Sequence, residues 1–330
     1  ILYEIYKDKD GKLWVSAFDV ESFIIDIRDY IVQKYPLPDL RNQLKANPAI
    51  NSLCKDEDGI FWFSQDRYGL CIYDSRKEKL KHYSQCQGTR NLPFGDVTNI
   101  ARSYNHNWIW ATSYGPTVFG LSQQNMEMKE DVRIELGNVT NNPGLITSLF
   151  EDPQNNLWIG TTTGLFVYRI MSATLESIPE VSGPVAGITQ TADSRIWTVI
   201  RNKGIYRIEQ NKGIEPYPFD KDFVCIDATS DGNLWMGTTE GEVLLFDPRQ
   251  KEKLKDYSFS CGMKGDIINN ITVDVYNHVW ITTNQMIKEF NPRNGAYRSY
   301  STRDKNFLLT RLLSKAVYYD RKGEIYFGGI

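Results

Sequence analysis

The chain has 330 residues and a formal net charge of −3, from 38 basic and 41 acidic side chains. No basic block stands out, which argues against a nucleic-acid or anionic-membrane surface, and no apolar run approaches the roughly 18–20 residues of a membrane span. Three histidines (His82, His106, His278) are too few and scattered for a histidine-rich metal site, and no signal-peptide pattern opens the chain.

The five cysteines, Cys54, Cys71, Cys86, Cys225 and Cys261, form no CxxC pair, and an odd count rules out a complete disulfide scaffold within the chain. Cys54 and Cys71 lie in apolar strand-like runs and read as buried thiols. The chain opens on the strand-like ILYEIYKD and stops at GEIYFGGI, so it reads as a piece of something longer.

Along the chain, eight units fall in register on an aromatic residue. The first carries Trp14 and is followed by IVQKYPLPDLRNQLKANPA (31–49), whose three prolines make it the most linker-like segment. The second carries Trp62. The third carries Trp110, with a second tryptophan, Trp108, two residues earlier; the shared strand parity reads as packing against an adjacent blade. The fourth, ITSLFEDPQNNLWIGTTTGLFVYR around Trp158, is the clearest. Trp197, Trp235, Trp280 and finally Tyr326 mark the rest, at spacings of 38 to 48 residues.

Three positions relative to the aromatic carry the physics. Three residues before it stand Gly11, Gly59, Asn107, Asn155, Ser194, Gly232, Asn277 and Gly323, mostly residue types that enter left-handed backbone space at least cost, so a tight turn is predicted there. Six residues before it, five units have Asp: Asp8, Asp56, Asp152, Asp274 and Asp320. A carboxylate at that point accepts backbone N–H bonds and closes the turn. Tyr104, Thr191 and Thr229 break this pattern, and the seventh unit has Asn284-Gln285-Met286 where others have a second-turn glycine. Immediately before the aromatic comes an apolar residue in all eight units.

Each unit therefore reads as four strands: an apolar strand, the Trp strand, a third strand after a Gly-closed second turn, and a more polar outer strand such as KLKHYS. Four-stranded units at this period are the pattern of an all-β propeller. A single blade cannot bury both faces, so the tryptophans are predicted to pack between neighbouring sheets. Small residues after them (Gly160-Thr161, Gly237-Thr238) permit close stacking. Seven blades are favoured over eight, within a single propeller over 1–330 or with 1–49 as a terminal blade plus linker from an adjacent one.

The units ITSLFEDPQNNLWIGTTTGLFVYR, DGNLWMGTTEG and DEDGIFWFSQDRYGL resemble the two-component regulator propeller repeat, which fills the periplasmic region of hybrid two-component sensors in Bacteroides-type gut bacteria. The likeness covers Trp14 to Tyr326. It implies a periplasmic sensor ectodomain, an oligosaccharide ligand, a homodimer in the intact sensor, a transmembrane segment outside this chain, and signalling to carbohydrate-use genes through a cytoplasmic kinase.

In a propeller the second turns and the connections between blades emerge on one face, opposite the Asp/Gly turns. A sugar site needs an aromatic plate for C–H faces and amide or guanidinium groups for hydroxyls. Among second-turn residues Arg67, Tyr68, Tyr114, Arg201, Asn202, Lys203 and Asn284 supply that mixture, and Arg67, Arg201 and Lys203 would serve a sulfated or uronic ligand through charge-assisted bonds. No catalytic residue, metal ligand or cofactor is expected: the chain has no GxSxG elbow, phosphate-cradling loop or HExxH helix. A protein-interaction scaffold and a propeller glycosidase or lyase remain as alternatives.

Overall fold

The computed structural model describes residues 50–65, 69–74, 76–83, 97–209, 213–250, 253–263, 265–301, 312–319 and 325–329, together with four strands between residues 2 and 34. Six antiparallel four-stranded blades follow one another from Ile50 to Ser301. Blade 1 comprises Ile50–Lys55, Phe61–Gln65, Gly69–Asp74 and Lys79–Tyr83, and blade 2 comprises Asn99–Arg102, Ile109–Thr112, Thr117–Gln124 and Glu127–Glu135. Blade 3 is Ile146–Glu151, Asn156–Thr161, Gly164–Arg169 and Thr174–Ser182; blade 4 is Val185–Gln190, Ile196–Ile200, Gly204–Glu209 and Gly213–Pro218. Blade 5 is Phe223–Ala228, Leu234–Thr238, Val243–Phe246 and Leu254–Asp256; blade 6 is Ile268–Val273, Val279–Thr283, Met286–Phe290 and Tyr297–Ser301.

The sequence favours seven such blades, and the structure corrects that number to six. The remaining strands come from both ends of the chain and share one six-stranded sheet, in the order Leu312–Tyr319, Ile325–Gly329, Leu2–Lys7, Lys12–Ala17, Phe23–Asp26, Ile31–Lys34. Ile5 pairs with Phe327 across the junction. Counting aromatics counts second strands only. Whether the strands around Trp14 and Tyr326 close separate sheets or share one depends on edge-to-edge backbone pairing, which carries no side-chain signature.

Two compact units divide the chain: Ile1–Arg133 with Ser301–Ile330, and Ile134–Tyr300. In the first, Trp62 of blade 1 packs with Ile100, Ile109 and Phe119 of blade 2. In the second, Trp158 packs with Val185 and Ile196 of blade 4, Trp197 with Phe223 and Phe246 of blade 5, and Trp235 with Ile271 and Phe290 of blade 6. Each of these four tryptophans thus seals its own blade to the next. Burying one such ring contributes about 3 kcal/mol. The small residues after them allow it: a Cβ built on Gly160 would lie 2.5 Å from Val185 Cγ1 in the neighbouring blade, and one on Gly237 2.6 Å from Ile268 Cγ2.

The Asp–Trp spacing has a second cause that the sequence does not announce. Asp56, Asp152 and Asp274 accept backbone N–H groups of their own turns, as expected, and with the other oxygen they accept the indole Nε1–H of Trp62 (2.8 Å), Trp158 (2.9 Å) and Trp280 (3.0 Å). One carboxylate closes the turn and satisfies the only polar atom of a buried indole. In blade 4, Thr191 Oγ1 accepts the Trp197 Nε1–H at 3.1 Å and donates its hydroxyl hydrogen bond to Asp193, which is how the chain tolerates a lost Asp. In blade 2 the turn is one residue longer: Ser103 N–H bonds Trp108 O, where blade 1 bonds Asp56 N–H to Ile60 O. Within its own blade Trp108 stacks on His106 at 4.3 Å and lies edge-on to Trp110.

Inner strands are pinned as well. Asp227 of blade 5 accepts from Thr189 Oγ1 of blade 4, from Thr272 Oγ1 and Val273 N–H of blade 6, and from Ala228 N–H. Burial pushes its carboxyl above the ordinary range. Outer strands are polar, and blade 4 ends its sheet with Pro216 and Pro218, which discourage further strand addition. Cys54, Cys71, Cys225 and Cys261 are buried, and burial pushes the Cys225 and Cys261 thiols up to about 12.

Candidate functional site

A repeated backbone bond builds the candidate face. Thr162 N–H donates to Leu145 O in blade 3, Arg201 N–H to Pro184 O in blade 4, and Thr239 N–H to Asp222 O in blade 5. Each second turn is thereby tied to the connection that precedes its blade, so turns and connections share one edge of each sheet. The Asp/Gly turns bond to one another elsewhere, as Ser230 does to Asn277 between blades 5 and 6.

On this edge Arg201 Nε and Nη2 each bond Asp222, both at 2.7 Å, in a two-bond chelate between the blade 4 turn and the blade 4–5 connection. The chelate raises the guanidinium and holds the Asp222 carboxyl below its ordinary value. Lys203 Nζ donates to Ser182 O (2.9 Å) and Oγ (3.2 Å), and Lys221 Nζ to Glu242 Oε1 at 2.5 Å, which raises the Lys221 ammonium. Asn202 takes a left-handed conformation (φ +57°) that turns the chain between Arg201 and Lys203. Asn284 accepts from Asn269 Nδ2 at 3.1 Å beside the start of blade 6.

The predicted residues fall on separate turns. Arg201, Asn202 and Lys203 share one turn; Asn284 stands two blades further on with Asn269 as partner. Tyr114, 63% exposed, belongs to the other compact unit. Arg67 and Tyr68 lie outside the described residues. Sequence reasoning missed Asp222 and Lys221, which lie in a connection it left unexamined, and Glu242, which stands in a second turn beside the glycine that marks it. The Arg201–Asp222 and Lys221–Glu242 partners are both 21 residues apart, about half the blade period and not a local motif.

Asp222 gives a pH test. Its folded carboxyl titrates below the 3.8 of an unperturbed aspartate, so its contribution to stability is complete above 3.8 and is lost as pH falls through the folded value. Asp222→Asn is expected to lower the chemical denaturation midpoint at pH 7, with the difference from the parent vanishing in strong acid. A difference that persists unchanged there would refute the chelate.

His278 sits on the opposite edge. Its Nδ1 lies 2.8 Å from Glu289 Oε1 and its Nε2 3.0 Å from Asn291 Nδ2. Arg293 N–H occupies Asn291 Oδ1 and fixes the amide, so Nε2 is an acceptor and the proton rests on Nδ1. Both ring nitrogens are committed to local structure. Among the described residues no group of three or more His, Cys, Asp or Glu side chains is arranged to hold a metal ion.

Residues 142–163 match the two component regulator propeller family. That segment runs from the blade 2–3 connection through the Trp158 strand to the second turn of blade 3. The fold is similar to the extracellular domain of the hybrid two component system BT3049 from B. thetaiotaomicron, with a TM-score of 0.69 at 17% identity over 99% of this chain and 50% of that one. The extracellular domain of BT4673 from the same organism gives 0.67 at 19% identity, over 98% and 45%. This chain thus spans about half the length of either ectodomain. YCF48, solved bound to D1 peptide, gives 0.60 at 13% identity, over 85% and 92%. No curated protein matches the chain. Among the described residues no helix is long and apolar enough to cross a membrane.

Proposed function

We propose that this chain is a ligand-sensing part of the periplasmic ectodomain of a hybrid two-component sensor, and that it binds an oligosaccharide without turning it over. The observation that carries this reading is the fold likeness to two such ectodomains over nearly the whole chain, joined to the repeat match at 142–163. The distribution of chemistry supports it. Asp56, Asp152, Asp274 and His278 are engaged in turns and indole bonds, whereas Arg201, Asn202, Lys203, Glu240 and Gln285 stand exposed on the edge that carries second turns and connections. In the intact sensor the chain would act as a homodimer and pass its signal through a membrane segment to a kinase that governs carbohydrate-use genes. A peptide-binding scaffold is the second reading, favoured by the likeness to peptide-bound YCF48.

A thermal-shift screen against plant and host oligosaccharides, with product analysis of each hit, separates these readings. Saturable stabilisation with the glycan recovered intact is expected, worth about 2.7 kcal/mol at a hundredfold excess over Kd. Cleavage of the glycan would replace the sensor with an enzyme. Stabilisation by peptides and by no glycan would favour the scaffold.

A further inference from the structure

We propose that Phe259 is the stacking residue of a glycan site on the second-turn edge of blades 4 to 6, and that this site prefers a neutral glycan to a sulfated or uronic one. This assignment rests on the ligand-sensing reading above and adds the contact residue and the ligand class.

Phe259 is 95% exposed, more than any other large apolar side chain among the described residues. Its loop, the connection 257–267, is nevertheless firmly built. Tyr257 N–H bonds Val243 O at 2.8 Å, and Ser258 Oγ accepts Val243 N–H at 2.9 Å. Cys261 N–H, Gly262 N–H and Met263 N–H return to Tyr257 O, Phe259 O and Ser258 O, each at 2.9 Å. The Cys261 and Met263 side chains are buried in the core between blades 5 and 6, and Lys288 Nζ donates to Gly262 O. A loop anchored on both sides of the ring holds Phe259 in water when an unconstrained chain would turn it inward. The ordering cost of presenting the ring is already met on folding, which favours binding. A phenyl face carries no hydrogen-bonding group, so it suits the C–H face of a sugar ring.

The loop borders the candidate edge. Ser258 bonds the start of the third strand of blade 5, and a Cβ on Gly241, in the second turn of that blade, would lie 2.5 Å from Asp266 O. Ile267, at the end of the same connection, is 55% exposed.

Charge sets the ligand class. The turns and connections of blades 4 to 6 carry Asp220, Asp222, Glu240, Glu242 and Asp266 against Arg201, Lys203, Lys221 and Lys264, the last outside the described residues. Arg201 and Lys221 are paired with Asp222 and Glu242, and Lys203 bonds the uncharged Ser182. With those two pairs set aside, Asp220, Glu240 and Asp266 stand against Lys203 and Lys264, and the surplus carboxylate disfavours a sulfate or uronate. Glycan hydroxyls, by contrast, can donate to those carboxylates. The sulfated or uronic ligand that Arg201 and Lys203 suggest in sequence is thereby disfavoured.

The test is calorimetric titration of the whole chain with neutral oligosaccharides and with sulfated and uronate counterparts of matched length, repeated on Phe259→Ala and Phe259→Trp. Phe259→Ala is expected to keep the parent melting temperature, because the ring buries almost nothing, and to weaken the neutral glycan at least about tenfold. Phe259→Trp is expected to retain binding. Unchanged affinity in Phe259→Ala, or tighter binding of the anionic series, would overturn the assignment while leaving the sensor intact. Failure of every glycan to bind the parent chain would overturn both. A dimer of the parent chain that dissociates in Phe259→Ala by sedimentation would reassign the ring to a contact between copies and overturn it too.

Discussion

Asp152→Ala is expected to destabilise the chain by about 3 kcal/mol, read from chemical denaturation. The carboxylate accepts Gln154 N–H and Asn156 N–H at 2.9 Å, Asn156 Nδ2 at 2.9 Å and Trp158 Nε1 at 2.9 Å. Alanine leaves the indole N–H and the Asn156 amide without an acceptor in a site where both are buried. Leaving each such group unsatisfied costs on the order of 1–3 kcal/mol, and water at the rim of the turn recovers part of it. Thr191→Ala is the graded comparison. It removes one indole acceptor in blade 4 and is expected to cost about 1 kcal/mol. Equal effects of the two substitutions would show that the carboxylate matters only through the indole, and not through the turn.

Gly204→Ala is expected to cost about 3–4 kcal/mol, from backbone strain and overpacking together. Gly204 has φ +122°, a conformation L side chains rarely adopt, and its strand pairs directly with Pro218. A Cβ there would clash with the Tyr217 carbonyl oxygen and stand 2.7 Å from Phe219 N and 3.1 Å from Pro218 Cα. All three are backbone atoms of the outer strand and the connection after it, so no rotamer change relieves them. Because Gly204 closes the turn that carries Arg201 to Lys203, the same substitution should loosen the Arg201–Asp222 chelate. Loss of the low Asp222 titration in an NMR pH series would report it. A stability within 1 kcal/mol of the parent would mean that the two strands are further apart than their register requires.

The candidate site was less legible than the fold. Arg201, Asn202 and Lys203 were identifiable as turn residues beyond what a turn needs, and they do share one edge of blade 4. Their partners were not identifiable, because Asp222 and Ser182 lie a half-blade away in the chain and look like ordinary loop residues. Phe259 sits in DYSFSCGM, a stretch without the Asp/Gly turn and Trp register of the repeat. Its exposure follows from burial of Cys261 and Met263 in the same loop, and an aromatic that alternates with Tyr257 and Cys261 reads in sequence as the buried face of a strand.

The strand order within a blade, the tight first turn and the packing role of the tryptophans follow from local chemistry: an Asp six residues before an indole, a left-handed turn residue between them, and small residues where the next sheet approaches. Those interactions close within one unit or between adjacent repeats, so their residues recur in register and can be read along the chain. Blade number does not have that property. It turned on Ile5 meeting Phe327 across the two chain ends, a backbone pairing that any pair of strand edges can make. The state of the charged rim is the same kind of fact. Whether a guanidinium is available to a ligand or chelated by Asp222 depends on the distance between two loops, which folding sets and composition does not.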